Sequence, residues 1–214
     1  MSVVPIDVQE QLRLPEGEAG EKIGKALLEM NKEVIEAVIA KIDIHPGLRV
    51  VDVGCGPGYS LQKLSELIKD GEIIGVDPSE VMVRQARFLN QVACESGLVK
   101  VIPGATPDLP LEDESVDYVL LNNVIFFWPS EDLSNHLSDL YRVLDRQGFL
   151  VLYIIDKQSL ATLVGDSEDV FNLYELDETL QALEDVGFVM KKTEVLQTES
   201  DGTGYVITAE KQEN

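Results

Sequence analysis

The chain has 214 residues, 44% of them hydrophobic, which suits one α/β domain with a packed core. No apolar run approaches the roughly 20 residues of a membrane span, and the N-terminus lacks the basic-then-apolar pattern of a secretory signal, so a cytoplasmic protein without a membrane partner is expected. Acids outnumber bases 39 to 17, for a formal net charge of −22; with no basic run longer than Lys191-Lys192, this argues against nucleic acid as a partner.

Residues 1–20 carry Pro5, Pro15, Gly17 and Gly20 with little periodicity and read as an irregular lead-in. Over 21–42, Ile23, Leu27, Met30, Val34 and Val38 recur at three- and four-residue steps, the pattern of an amphipathic helix. His45-Pro46-Gly47 is a turn, and 50–53 a short buried strand after it. The pattern then alternates. Residues 59–69 read as a helix closed by Asp70-Gly71, and 72–77 as a strand. Ser79 is an N-cap candidate for a helix through 96, with Gly97 as its stop. Residues 99–104 form a third strand. Residues 115–123 form a fourth, almost continuously apolar, as suits a parallel strand covered on both faces. A helix over 130–144 presents Leu133, Leu137 and Leu140 on one side. After the turn at 145–148 comes a fifth strand, 149–155.

Residues 156–175 are polar and mixed, a crossover with a short helix. Asp177 can cap a helix to 186, ended by Gly187. Two further strands flank "ESDGT", a hairpin signal. Five strands alternating with helices, closed by a hairpin, predict a doubly wound, mostly parallel seven-stranded sheet. Helices cover both faces, and the C-terminal hairpin adds an antiparallel strand. The expected organisation is a single Rossmann-like domain over 21–214.

The stretch "VVDVGCGPGYS" (50–60) follows a strand and opens a helix, the context in which a glycine-rich turn binds a ligand. Gly54, Gly56 and Gly58 permit tight turns and let a ligand approach the main chain without a Cβ in the way. The dinucleotide fingerprint G-x-G-x-x-G would place a third glycine at position 59, which is Tyr59. The spacing here is G-x-G-x-G, preceded by Asp52.

With this spacing the chain resembles the class I S-adenosylmethionine-dependent methyltransferases, in their small-molecule, type 11-like branch. "HPGLRVVDVGCGPG", "GVDPSEVMVRQA", "LPLEDESVDYVLLNNVIFF" and "YRVLDRQGFLVLY" occur in the family's order and spacing, and with the terminal hairpin they cover residues 21–211. The resemblance implies S-adenosyl-L-methionine as cofactor. It implies that the loop of Gly54, Cys55, Gly56 and Gly58 packs against the methionine part, with Asp52 holding the loop and the aminoacyl end. Asp77, followed by Pro78, ends the second strand, where a carboxylate can accept hydrogen bonds from both ribose hydroxyls. Because it sits at the ligand edge, its removal is expected to spare the fold. Met82, one helical turn on, either covers the adenine or fills the core.

The family often has a carboxylate after the glycine ending the third strand. Here that position is Ala105, which leaves Thr106 (by N–H or hydroxyl) or Asp108 to read the adenine edge. Asn122 and Asn123 end the fourth strand, where an amide can bond the cofactor's amino end or a substrate group. The turn at 145–148 also departs from the family's usual sequence, on the far side of the sheet. Cys55 needs only to be small, and His136 reads as a solvated or helix-face residue. No protein-bound metal is expected from two cysteines and two dispersed histidines.

The implied reaction is methyl transfer by in-line displacement, in which the protein positions the acceptor and excludes water. The substrate side is expected at Phe127 and Trp128 in "VIFFWP", with Phe126 beside them. Asn31 lies in a lid helix over 21–45, and Phe171 and Tyr174 on the crossover form the other wall. Asp156 is a base candidate by location alone. The expected partner is a small-molecule acceptor, and the expected state a monomer or homodimer. A non-catalytic member that binds S-adenosylmethionine and a protein methyltransferase are the alternatives.

Overall fold

The computed structural model describes residues 3–165 and 170–212. Its centre is one sheet of seven strands: β1 (Leu48–Val53), β2 (Gly71–Asp77), β3 (Val99–Pro103), β4 (Val116–Asn122), β5 (Leu144–Ile155), β6 (Phe188–Thr198) and β7 (Gly202–Lys211). Their order is β3-β2-β1-β4-β5-β7-β6. Neighbours from β3 to β5 pair in parallel, and β7 runs antiparallel between β5 and β6. The doubly wound sheet with a C-terminal antiparallel strand is thus as the sequence predicts. The chain leaves β1 toward β2 on one side and returns to β4 on the other. That reversal opens a crevice at the carboxyl ends of β1 and β4.

Side chains alternate across a strand, so each central strand feeds two cores. On one face Val50, Ile73, Leu120 and Val151 meet helices α3 (Lys32–Ile39), α4 (Tyr59–Leu67) and α5 (Glu80–Leu89) through Val34, Val38, Leu61, Leu64 and Ala86. On the other, Val51, Val119, Leu121 and Leu152 meet α7 (Leu133–Val143) and α9 (Leu176–Val186) through Leu137, Leu140 and Leu183. Parallel strands buried on both faces need near-continuous apolar runs, and β4 has one.

Several boundaries differ from expectation. Residues 1–20 are not irregular throughout: α1 spans Ile6–Arg13 and α2 (Gly17–Met30) already begins inside them. The helix α1 escapes a hydrophobic-periodicity reading because it is fastened by polar bonds. The amide of Gln9 donates to Val4 O at 2.7 Å and to Val164 O at 3.0 Å. The expected lid helix over 21–45 is two helices, α2 and α3, broken at Asn31. The helix expected through 96 likewise divides at Asn90 into α5 and α6 (Gln91–Glu95), because Asn90 Nδ2 turns inward to Gly58 O and Ala86 O, both at 2.9 Å. The cap of α9 is Glu175, in a reciprocal box with Glu178, rather than Asp177. Part of the 156–175 crossover, residues 166–169, lies outside the described residues.

Candidate active site

At the end of β1, Gly54 N and Cys55 N donate to Val76 O at 2.8 and 3.1 Å, which pins the glycine loop to β2. Gly54 has φ +74°, and a Cβ there would stand 2.4 Å from Val124 Cγ2, so the loop passes under the end of β4 as only glycine can. Gly56 also has positive φ, but nothing lies within 4 Å of its missing Cβ. Its main chain faces open space.

Two buried carboxylates flank this loop. Asp77 Oδ2 accepts from Gly56 N at 2.8 Å and Oδ1 from Ser79 N at 2.9 Å, so the side chain ties the loop to the start of α5. Asp52 accepts from Ser60 Oγ and, at 3.4 Å, from Asn122 Nδ2. Burial, the dominant cause, lifts Asp52 to about 7 and Asp77 to about 6. The bonds from Ser60 and Asn122 to Asp52, and from Ser79 and Gly56 to Asp77, oppose the rise. Neither carboxylate forms an ion pair among the described residues.

Beyond Asn122 the crevice becomes a chamber. Asn123, at φ +56°, donates from Nδ2 to Asn31 Oδ1 at 3.4 Å and to Asp201 Oδ2 at 3.3 Å. Asp201 belongs to the β6–β7 turn, and its neighbour Ser200 bonds Met30 O, so hairpin and N-terminal helices meet here. Phe126, Phe127 and Phe171 form an aromatic wall with ring centroids 4.8–5.2 Å apart. Trp128 stacks on His136 at 4.5 Å and 7°, and His136 Nδ1 lies 2.8 Å from Thr106 Oγ1. Desolvation, ahead of the opposing pull of Asp132, pushes the His136 pKa down. One cavity of about 480 Å³ joins all of this, a volume typical of a small-ligand site.

A family model described as a methyltransferase domain matches residues 51–152, from β1 through β5. The chain is 30% identical over 141 residues to malonyl-[acyl-carrier protein] O-methyltransferase 1 of Coxiella burnetii, covering 64% of this chain and 45% of that one. It is 33% identical over 121 residues to trans-aconitate 2-methyltransferase of Rhodopseudomonas palustris, covering 56% and 43%. The chain thus spans less than half the length of these relatives. Among solved structures, an S-adenosylmethionine-dependent methyltransferase from Mesorhizobium loti shares the fold with TM-score 0.68 at 19% identity, over 82% of this chain and 96% of that one. A chain in the complex of the Haloferax volcanii Trm112 methyltransferase activator with a methyltransferase does so with TM-score 0.79 at 18% identity, over 92% and 96%.

Residues 51–152 thus match the methyltransferase domain family. The cavity brings together nearly all the residues expected from that resemblance. Asp52, Gly54, Cys55, Gly56, Asp77, Pro78, Met82, Ala105, Thr106 and Asn122 line it, as do Asn31, Phe127 and Trp128. Gly58 does not. A Cβ on it would stand 2.8 Å from Ala86 Cβ and Asn90 Nδ2, so this glycine serves the approach of α5 instead.

Other expectations are corrected too. The carboxylate of Asp156 is taken up as the N-cap of α8 (Lys157–Val164), accepting from Gln158 N and Ser159 N. Asp108 is exposed, and Tyr174 lies behind the wall, bonded to Trp128 O at 2.7 Å. The Thr106 hydroxyl is engaged by His136, which leaves its N–H for a ligand. His136 itself is buried, 8% exposed, and lines the cavity. Arg13, Ser200 and Asp201 also line it, unannounced by any local motif.

The cavity suits the family's cofactor on its own chemistry. Among the described residues, Asp52 and Asp77 are buried acceptors without a cation, and Asn122 Oδ1 is buried without a donor. A ligand carrying a sulfonium, an ammonium and vicinal hydroxyls supplies what these atoms lack.

Proposed function

We propose that this domain transfers the methyl group of S-adenosylmethionine to a small-molecule acceptor. The observation that carries the reading is the single cavity that joins the glycine loop and its two carboxylates to an aromatic chamber.

Each Asp77 oxygen has spent one acceptor site on a backbone N–H and keeps another, which fits the two hydroxyls of a ribose. Asp52 and Asn122 Oδ1 would hold the aminoacyl end beside the main chain of Gly54, Cys55 and Gly56. Met82, Ala105 and the Thr106 N–H would bound the adenine. When bound, the cofactor supplies an electrophilic methyl on a sulfonium, whose departure as a thioether needs no acid. What remains for the protein is to orient the acceptor and keep water out. Phe126, Phe127, Phe171 and the α1–α2 segment do this by enclosing the chamber, with Asn31 and Asn123 as its polar contacts. None of these residues is assigned as a general base.

Calorimetry tests the cofactor half: S-adenosylmethionine and S-adenosylhomocysteine should bind, and NAD should not. NAD binding tighter than S-adenosylhomocysteine would overturn the reading. Release of S-adenosylhomocysteine in the presence of small acceptors tests the catalytic half. Its absence across amine, hydroxyl, thiol and carboxylate acceptors would favour a non-catalytic binding role.

A further inference from the structure

We infer that the chamber takes an ammonium-bearing small molecule and that Asp201 is its anchor; this rests on the methyltransferase reading above. The pairing of Ile155 with Gly204 places the β6–β7 turn at the same sheet edge as the ends of β4 and β5. Asp201 thereby stands beside Asn123 in the part of the cavity beyond Asn122.

Asp201 is 6% exposed; the Asn123 amide and the Tyr153 hydroxyl stand against its carboxylate, and no Lys, Arg or His among the described residues pairs with it. Neutral donors hold a carboxylate without cancelling its charge, which leaves a place for a cationic ligand. Arg13, the one Lys or Arg lining the cavity among the described residues, does not take that place. It precedes Pro15, whose carbonyl accepts from Ser79 Oγ next to Asp77, at the cofactor end.

Asn123 points to the same ligand by a separate route. Its NH2 faces two acceptors, Asn31 Oδ1 and Asp201 Oδ2. Flipping the amide would set oxygen against carboxylate, so the orientation is fixed by chemistry. Oδ1 is therefore turned away, buried and without a donor. An unmet acceptor beside a carboxylate held only by neutral donors calls for a group that donates several hydrogen bonds and carries positive charge. A carboxylate or phosphate ligand would add repulsion, and a lone hydroxyl would satisfy one acceptor. The aromatic wall of Phe126, Phe127 and Phe171 favours the same class, because ring faces attract cations and can hold an apolar body attached to the ammonium.

The test uses protein saturated with S-adenosylhomocysteine and three matched probes: 2-phenylethylamine, 2-phenylethanol and phenylacetate. By calorimetry the amine should bind at least tenfold more tightly than the alcohol, and phenylacetate most weakly. Asp201→Asn should erase the advantage of amine over alcohol while S-adenosylhomocysteine affinity stays within twofold. Asn31→Lys, which brings a competing ammonium to the same carboxylate, should weaken the amine and spare the alcohol. The second variant keeps the test sharp if Asp201→Asn folds poorly. The inference is overturned if the alcohol or phenylacetate equals the amine, if the preference survives both variants, or if the amine fails to bind at millimolar concentration. Failure of S-adenosylhomocysteine itself to bind would instead sink the methyltransferase reading, and this inference with it.

Discussion

Asp77 ties the glycine loop to α5, and in the function proposed above the same side chain also holds the ribose. Because it holds Gly56 N and Ser79 N, Asp77→Ala should lower stability as well as affinity, contrary to what its place at a strand end suggests. Each buried N–H left without an acceptor costs about 1–3 kcal/mol. Cofactor affinity should fall by roughly 2–4 kcal/mol, on the order of 30- to 1000-fold. Asp77→Asn keeps one acceptor oxygen and should be milder in both. Unchanged S-adenosylhomocysteine affinity in a folded Asp77→Ala would remove the ribose role. A second expectation follows from the raised carboxyls. In the free protein Asp52 at about 7 and Asp77 at about 6 are partly protonated near neutrality. A cationic cofactor favours their ionised forms, so its binding should release protons and tighten as pH rises through 6 to 7. Calorimetry at pH 6.5 in buffers of different ionisation enthalpy reads this directly, and proton uptake would contradict it. These residues were legible in the sequence because they sit at strand ends beside a glycine turn. His136, Arg13 and Asp201 were not, since a helix face, an unrecognised helix and a distant hairpin bring them in.

Elements show the same division between local and tertiary causes. The strands were readable from apolar runs such as that of β4, and Ser79 does cap α5, accepting from Met82 N at 3.2 Å. The breaks at Asn31 and Asn90 were hidden, because periodicity continues across both. Asn90 stops α5 by bonding Gly58 O, a contact 32 residues away in sequence. The start of β5 was hidden as well, since Leu144 pairs with Val116 before a register shift, and the strand thus begins ahead of the turn residues. Asn90→Ala tests the coupling between α5 and the glycine loop. It deletes the bonds to Gly58 O and Ala86 O and should destabilise the protein by about 1–3 kcal/mol in urea denaturation. Affinity for S-adenosylhomocysteine should fall as well, by less than tenfold, because the loop loses a tether but no ligand contact. Full stability in this variant would mean that the loop is held by β2 alone.

At the scale of the whole molecule, the excess of acid acts on the cofactor before any contact is made. Many bases are already spent on surface pairs: Arg49 and Lys100 both bond Glu72, and Lys41 and Lys192 both bond Glu194. The net charge of −22 is therefore a surplus of unpaired carboxylates, and its field attracts cations over a distance set by salt. That range is about 30 Å at 0.01 M salt and about 8 Å at 0.15 M. S-adenosylmethionine carries one more positive charge than S-adenosylhomocysteine and otherwise offers nearly the same contacts. Raising NaCl from 10 to 200 mM should weaken the first by about 3- to 10-fold and change the second by less than twofold. The melting temperature of the free protein should rise over the same interval, because screening relieves self-repulsion. Equal salt dependence for the two ligands would show that the surface charge does not reach the cavity. A melting temperature that falls with salt would show that the surface pairs, rather than the surplus acid, govern stability.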